Sequence, residues 1–174
     1  MHFLEYYNEN IVKYDSINKF RHKNLTKIPK LLFVSLRFKF KHYDLKQLIA
    51  ALVALELLTS QKGSLLKSKV SSVTLKIRKG QPIGCKVTIR GQKMRLFLTK
   101  LISKATLKHV RTKEKIRLNH NIFSFKVSNV LVFNELEKNY QFFKNLKSLD
   151  VSFVTTLSSY ENFIFLMRSY KIEA

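Results

Sequence analysis

The residues best suited to chemistry lie in the alternating run from Lys76 to Gly91, and that chemistry is phosphate binding. Lys86, Thr88 and Arg90 occupy every second position near the end of the run. Residues with a period of two point to the same face of a β-strand. An apolar row alternates with them, made of Ile83, Cys85, Val87 and Ile89. The pattern predicts a strand with one core face and one face of cations and a hydroxyl, the groups that contact a sugar-phosphate backbone.

The preceding residues extend this pattern into a predicted hairpin. Val73 to Arg78 also alternates between apolar and cationic or hydroxyl side chains, and a Gly80-Gln81-Pro82 turn follows it. A second cationic strand is predicted from Lys30 to Lys41, where Arg37 and Lys39 face away from the core. Its inward-facing residues are Val34, Leu36, Phe38 and Phe40. We therefore expect a sheet with one basic face.

The charge distribution matches a polyanion partner. The formal net charge is +22, with an isoelectric point near 10.2. Between Glu56 and Glu114 there are fifteen Lys or Arg residues and no acidic residue. Self-repulsion of this size costs stability unless a polyanion neutralises it.

The sequence does not indicate a metal site or a catalytic acid-base pair. The eleven acidic residues are dispersed, whereas a metal-dependent nuclease needs clustered carboxylates. The five histidines are scattered, without ligand spacing. The single cysteine, Cys85, falls in the apolar row and is interpreted as a buried small side chain. We expect no enzyme activity, no metal and no cofactor.

The elements that would position the cationic strands are helices. Helices are predicted at 3–20, 45–59 and 91–109 and from Ser158, and strands at 122–133 and 149–157, with a loop at 111–121. Asp44 is the predicted N-cap of the second helix, which is apolar almost all round and therefore expected to be buried. The order predicts a single α+β domain over 1–174, with a two-layer, mostly antiparallel sheet that has helices on one face.

Two groups of side chains have competing interpretations. The phenylalanines are predicted to lie in the core rather than to stack on bases, namely Phe33, Phe123, Phe125, Phe142 and Phe143. Lys100, Lys104 and Lys108 lie off the apolar stripe of the third helix, where solvation and nonspecific RNA contact are both open.

The run R-K-G-Q-P-I-G-C-K-V-T-I-R-G, from Arg78 to Gly91, resembles the signature of the bacterial-type large-subunit ribosomal protein L-five family. Other segments resemble that family along nearly the whole chain: Glu5-Tyr6-Tyr7, Ile28-Pro29-Lys30, Ser60-Gln61-Lys62-Gly63, Ser148 to Val151 and Val154-Thr155-Thr156. The resemblance implies a structural protein of translation, a ribonucleoprotein component that holds 5S rRNA in the central protuberance.

The resemblance also implies which residues bind. Positions that match rRNA-contacting residues are Gln61, Lys62, Lys86, Thr88 and Arg90, with Arg37 and Lys39 alongside. A protruding hairpin loop, about residues 71–82, corresponds to the loop that reaches peptidyl-site tRNA, and it carries Lys76, Arg78, Lys79 and Gln81. Implied partners are 5S rRNA, large-subunit rRNA, peptidyl-site tRNA and neighbouring central-protuberance proteins.

The chain departs from the family pattern at three places. Arg37 stands where the family has an RNA-contacting Asn, so an ionic contact is expected there. Val73-Thr74-Leu75 lacks a family glycine, and the family's glycine-rich segment is shortened to Arg111–Phe123. Function that rests on that segment is not expected to carry over.

The sequence is also compatible with two other functions, and its composition indicates a cellular location. The helix at 91–109 has the pattern of a basic membrane-surface helix, and a nonspecific nucleic-acid binder would show the same charge. Abundant Lys, Asn, Ile, Phe and Tyr indicate an AT-rich gene, and no Arg-rich leader precedes Glu5. We expect a mitochondrion-encoded ribosomal protein, with a plastid or the bacterial cytoplasm as alternatives.

Overall fold

A computed structural model describes residues 3–21, 24, 28–40, 44–74, 76–105, 117–119, 121–156 and 160–170. The strands are β1 (Leu31–Lys39), β2 (Ser64–Lys67), β3 (Pro82–Ile89), β4 (Arg117–Asn119), β5 (Ile122–Val127) and β6 (Leu149–Thr155). They form one six-stranded sheet in the order β2-β3-β1-β6-β5-β4, and every neighbouring pair is antiparallel. β1 lies near the middle and pairs on both sides.

The register of β1 makes one face of the sheet continuous and apolar. Val34 lies opposite Ile89 on β3 and opposite Phe153 on β6. Leu36 lies opposite Val87 and Val151 in the same way. All of these side chains are buried. Antiparallel partners point to the same face, so the apolar rows of separate strands merge into one core surface.

Helices cover this core surface. They are α1 (Phe3–Tyr7), α2 (Lys13–Phe20), α3 (Leu45–Thr59), α4 (Gly91–Ala105), α5 (Asn134–Glu137), α6 (Tyr140–Phe143) and α7 (Tyr160–Ser169). A π-helical turn, Asn8–Val12, joins α1 to α2, and a 3₁₀ turn, Val130–Val132, precedes α5. The α+β prediction with helices packed on one sheet face is confirmed.

Specific contacts fix α3 and α7 on the sheet. The thiol of Cys85 on β3 donates to the carbonyl of Leu48 on α3 at 3.6 Å. Phe163 on α7 stacks on Phe123 of β5, with 4.2 Å between ring centroids. Asp44 is the N-cap of α3, as predicted, because its Oδ1 accepts from the backbone N–H of Lys46 at 3.0 Å.

The N-terminal helical segment packs against α4 and α7. Glu5 forms an ion pair with Arg95 of α4 at 2.6 Å. Tyr7 donates its hydroxyl to the carbonyl of Ser169 of α7 at 3.2 Å. Phe20 meets Phe165 edge to face at 5.6 Å. The prediction of a helix over 3–20 is confirmed, with the π turn at its centre.

The predicted hairpin before β3 is wrong. Val73 is 95% exposed, and the described residues between β2 and β3 form a single isolated bridge, between Ser72 and Ile77. The true edge partner of β3 is β2, in a segment for which no strand was predicted. Alternation alone does not show which segment pairs with β3 as a strand, because strand pairing depends on register with distant residues.

The expectation that α3 is buried rather than lying at the surface is correct for one side of the helix and wrong for the other. An apolar stripe of this helix is exposed, made of Leu45, Ile49, Val53 and Leu57. The sheet and its neighbouring helices cover the opposite side, which carries the buried Leu48, Ala51, Leu55 and Leu58. A helix lying on a two-layer fold keeps one side toward solvent whatever its composition.

Several other boundaries differ from the predictions. β5 ends at Val127 because Asn129 caps the 3₁₀ turn, its Oδ1 accepting from Leu131 N–H at 3.0 Å. The predicted loop at 111–121 contains β4, which pairs with β5. The proposed helix start at Ser158 lies outside the described residues, as do residues 106–109 of the third predicted helix. No helix in the described part of the chain is long and apolar enough to cross a membrane.

Candidate nucleic-acid interface

The sheet face opposite the helices, called here the open face, carries three rows of side chains that cross the strands. Register places Lys86, Arg37, Asp150 and Lys126 side by side in an ionic row. A hydroxyl row lies next to it, two residues away along each strand, and consists of Thr88, Ser35, Ser152 and Ser124. Beyond it is an apolar row of Phe33, Val154 and Ile122. Neighbouring rows are two residues apart along each strand, roughly 7 Å.

Arg37 is held flat across the hydroxyl row. Its Nη2 donates to the hydroxyl oxygen of Ser152 at 2.9 Å. Its Nε is buried and meets no hydrogen-bond partner within the described ranges, and the same is true of the Ser35 hydroxyl. Ser35 is the register partner of Ser152. The guanidinium therefore contacts one hydroxyl of the row and keeps unused donor capacity.

Lys39 and Asp150 form an ion pair at the edge of the ionic row. The lysine Nζ is 3.0 Å from Asp150 Oδ2, and the lysine side chain is the more exposed of the two. Asp150 is the only acidic side chain on the open face among the described strand residues. The row otherwise consists of cations, which gives the face a positive character.

Gln61 and Lys62 lie beyond the C-terminal end of α3, next to the hydroxyl row. Gln61 Nε2 donates to the backbone carbonyl of Thr88 at 3.3 Å, which ties this turn to β3. Lys62 is exposed. Ser60 adopts a left-handed conformation and ends the helix, with φ of 53°. The structure therefore ties Gln61 to the strand that carries Thr88, with the exposed Lys62 next to it in the chain.

The loop residues are separate from the open-face rows. Lys76, Arg78 and Lys79 are exposed in the connection between β2 and β3. Gln81 has a structural contact, because its Oε1 accepts from the Arg78 backbone N–H at 3.0 Å. Lys76 has a left-handed backbone, with φ of 53°, in the tight turn that follows Val73. Lys76 lies in the turn that begins at Val73, whereas Arg78 and Lys79 lie in the turn that ends at Gln81.

The phenylalanine predictions hold in part. Phe123, Phe125 and Phe143 are buried, which confirms them as core residues. Phe142 is 75% exposed, and Phe33 lies half-buried on the open face, so their assignment to the core is wrong. Phe142 belongs to the one-turn α6, whose buried ring is Phe143. Phe33 alternates with Val34 and therefore faces away from the helices.

Lys100 contributes to the helix layer rather than to the open face. Its Nζ pairs with Glu135 at 2.8 Å and donates to the carbonyl of Leu58 at 3.3 Å. The side chain thus joins α4 to α3 and α5. The side chain of Lys104 and all of Lys108 lie outside the described part of the chain.

Sequence reasoning missed the contribution of β5 and β6 to the open face. Ser152, Asp150, Ser124 and Lys126 come from strands whose polar residues were not assigned to a face. A signal existed, because Asp150 and Ser152 alternate with the apolar Val151 and Phe153. The pairing of β1 with β6 could not be read from that alternation alone.

Cys85 belongs to the core, as predicted. The side chain is fully buried, and burial raises the pKa of its thiol to about 11. The described residues contain no cluster of His, Cys, Asp or Glu that could hold a metal ion.

Comparison with known proteins assigns the chain to a family. The family model that describes the C-terminus of the ribosomal L-five protein family matches residues 82–173, from the start of β3 through α7. The chain belongs to this family. It is 33% identical to the large ribosomal subunit protein uL5m of Reclinomonas americana, over 99% of this chain and 97% of that protein.

Bacterial family members give similar comparisons. The large ribosomal subunit protein uL5 of Borrelia garinii subsp. bavariensis is 33% identical, over 89% of this chain and 86% of that protein. The protein of the same name from Nitrosomonas europaea is 28% identical, over 97% of this chain and 95% of that protein. The resemblance to a ribosomal family inferred from the Arg78–Gly91 motif is confirmed.

Proposed function

We propose that this member of the ribosomal family is a structural constituent of the large ribosomal subunit that binds 5S rRNA through the open face. The ionic row carries the proposal, since it places Lys86, Arg37 and Lys126 on one surface with a single acidic residue among the described strand positions. Cations in a row release counterions from RNA phosphates, and this release drives binding.

The hydroxyl row supplies the second part of the mechanism. Thr88 and the serines beside it can donate to and accept from ribose 2′-hydroxyls, which distinguish RNA from DNA. Gln61 and Lys62 extend this row at the sheet edge. Phosphate contacts position the RNA, and the hydroxyl contacts add selectivity for it.

Arg37 has a defined role in this proposal. Its unused Nε and remaining guanidinium N–H groups can pair with a phosphate in a fork, which a lysine ammonium cannot do. Turning the guanidinium outward also uncovers the hydroxyls of Ser35 and Ser152. Arg37 and Lys39 therefore act together as the phosphate-binding end of β1.

Charge reversal tests the proposal. Lys86→Glu and Arg90→Glu should each weaken capture of 5S rRNA by at least about tenfold, because each replaces a positive charge with a negative one on the face that is proposed to meet RNA. Lys46→Glu, on the exposed side of α3, makes the same charge change on the helix layer and should have a small effect. Circular dichroism checks that each variant folds. Equal losses in all three would refute the assigned face.

The β2–β3 connection is proposed to reach peptidyl-site tRNA. Its cations Lys76, Arg78 and Lys79 are exposed and belong to none of the three rows. Replacing all three with Gln should reduce tRNA crosslinking in assembled ribosomes while leaving 5S rRNA capture intact. Loss of 5S rRNA capture in this variant would assign the loop to the same RNA instead.

The proposed location is the mitochondrial ribosome. The similarity to the uL5m of Reclinomonas americana extends over nearly the whole chain, and the composition indicates an AT-rich gene. Fractionation of cells with an antibody to this chain should place it with mitochondrial large subunits. Its recovery with plastid or cytosolic ribosomes would overturn this location.

The membrane-surface alternative loses its main support in the structure. The apolar stripe of α4 is buried against the core, with Met94, Phe97, Leu98 and Leu101 all covered. A membrane-binding helix needs that stripe exposed. Flotation with anionic vesicles, compared with RNA capture at the same salt concentration, separates the two functions. Competition with duplex DNA tests the nonspecific alternative.

A further inference from the structure

The apolar row on the open face ends in a contact between a cation and an aromatic ring. Arg90 lies over the ring of Phe33, with 4.7 Å between the guanidinium carbon and the ring centroid. Phe33 is half-buried and Arg90 is exposed. A planar cation thus lies over an aromatic ring at the border of a basic surface, with the cation exposed and the ring half-buried.

The rest of the row continues this surface across the sheet. Val154 lies opposite Phe33 and is half-buried, and Ile122, which follows on β5, is 42% exposed. The hydroxyl row runs alongside, one pair further along each strand. Within it, Ser35 is only 6% exposed, and its hydroxyl has no hydrogen-bond partner among the described atoms.

The three rows match the three parts of a nucleotide. An apolar row suits a base, a hydroxyl row suits a ribose and an ionic row suits a phosphate. Exposure of apolar side chains to water is unfavourable. Contact with a stacked base would cover the side chains of the apolar row and remove them from water. Bases paired within a duplex are already stacked on both sides, so only an unpaired base can use the row.

We propose that the apolar row is a stacking site for an unpaired nucleobase, anchored by the Phe33–Arg90 pair. This inference rests on the proposed function, because it requires RNA on the open face. The base stacks on the Arg90 guanidinium or the neighbouring ring, and its ribose lies toward Thr88 and Ser35. Recognition follows an unpaired position in the RNA, independently of base identity, because every base has a π-face.

The test compares two RNA probes that differ by a single unpaired base. One is an RNA duplex with a bulged 2-aminopurine, and the other is the same duplex without the bulge. Stacking of 2-aminopurine quenches its fluorescence, which reports on the site directly. Wild-type protein should bind the bulged probe more tightly and quench it. Phe33→Leu should weaken binding of the bulged probe on the order of tenfold and leave the unbulged probe unchanged.

Two further variants and one control separate the ring from other effects. Phe33→Tyr keeps the ring and should retain preference and quenching. Phe142→Leu removes an exposed ring from α6, on the helix layer, and should leave both unchanged. Arg90→Lys keeps the charge but loses the planar group, so it should reduce quenching without altering the salt dependence.

Refutation of the stacking site is distinct from failure of the proposed function. If Phe33→Leu binds and quenches the bulged probe like wild type, or weakens both probes equally, the stacking site is refuted. If Lys86→Glu binds both probes as tightly as wild type, the open face is not the RNA-binding face and the proposed function itself fails. The first result can occur without the second.

Discussion

Arg37 donates to the hydroxyl of Ser152 at 2.9 Å, although the residue directly across the ladder from Arg37 is Asp150. Asp150 pairs instead with Lys39 at 3.0 Å. The arginine side chain therefore runs diagonally over the hydroxyl row, and no carboxylate among the described residues pairs with it. An arginine neutralised by Asp150 would offer less to a phosphate, so this arrangement preserves the binding capacity of the ionic row.

Removing Arg37 should make RNA binding less dependent on salt, because one phosphate contact is lost. Arg37→Ala is expected to lower the slope of log affinity against log salt by about one. Ser152→Ala removes the hydrogen bond but no charge, so its slope should stay at the wild-type value. Filter binding of 5S rRNA across a salt series measures both. Equal slopes for wild type and Arg37→Ala would show that this arginine meets no phosphate.

Neutralising Asp150 should strengthen RNA binding. Asp150→Asn removes the acidic member of the ionic row and releases Lys39, so affinity at low salt is expected to rise roughly threefold. The ion pair is partly exposed, and its loss should cost stability at most about 1 kcal/mol. Glu56→Gln on α3 is the matched control, with the same charge change on the helix layer. Weaker binding by Asp150→Asn would contradict the account.

Gly84 is required by the close approach of β3 to β1. A Cβ at this position would lie 2.2 Å from the carbonyl oxygen of Phe38, which belongs to the neighbouring backbone. Gly84→Ala should therefore destabilise the fold by about 1–3 kcal/mol or more. Urea unfolding measures the change.

Gly80 provides the comparison for this substitution. It also lacks a side chain, with φ of 86°, but a Cβ there would meet nothing within 4 Å. Asn tolerates the left-handed region, so Gly80→Asn should cost well under the Gly84→Ala penalty. A larger loss at Gly80 would show that backbone conformation, not the β1–β3 contact, sets the requirement.

Cys85 should make the fold less stable at alkaline pH. Burial raises the pKa of its thiol from the ordinary 9.0 to about 11. The folded state therefore holds the proton more tightly than the unfolded state, and this stabilisation is complete below pH 9 and lost as pH rises toward 11. The difference corresponds to about 2–3 kcal/mol.

Urea unfolding below pH 9 and near pH 11 measures this effect. Cys85→Ala should be less stable at the lower pH, because it leaves a small cavity beside Leu48, but should lose less stability on raising the pH. Burial also raises the pKa of Tyr170 to about 12, with Tyr7 adding to the shift and Arg95 opposing it, so a smaller decline remains in the variant. An identical decline in both proteins would rule out the thiol as its source.

Local signals in the sequence predicted much of the fold. The helix at 45–59 follows from Asp44 and a long apolar run, and both β1 and β3 follow from strict alternation beside Pro29 and Pro82. These features depend on residues close together in the chain. Exposure of Ile49 on that helix depends instead on how much of it the sheet covers, which the run does not encode.

The candidate site was predictable only in part for the same reason. Arg37 and Lys86 were assigned to one face from alternation, and they are register partners. Ser152 joins them through a pairing between β1 and β6, and it lies 115 positions from Arg37 in the chain. The stacked Phe33–Arg90 pair likewise needs the register of β1 with β3. Long-range pairing, not residue type, decided these neighbours.

Contact between the open face and 5S rRNA is the claim on which the other proposals depend most. A photo-crosslinking amino acid placed at Thr88, on the hydroxyl row, and at Ile49, on the exposed side of α3, tests this in assembled large subunits. We predict crosslinks to 5S rRNA from Thr88 and none from Ile49. Crosslinks from Ile49 with none from Thr88 would contradict the central claim.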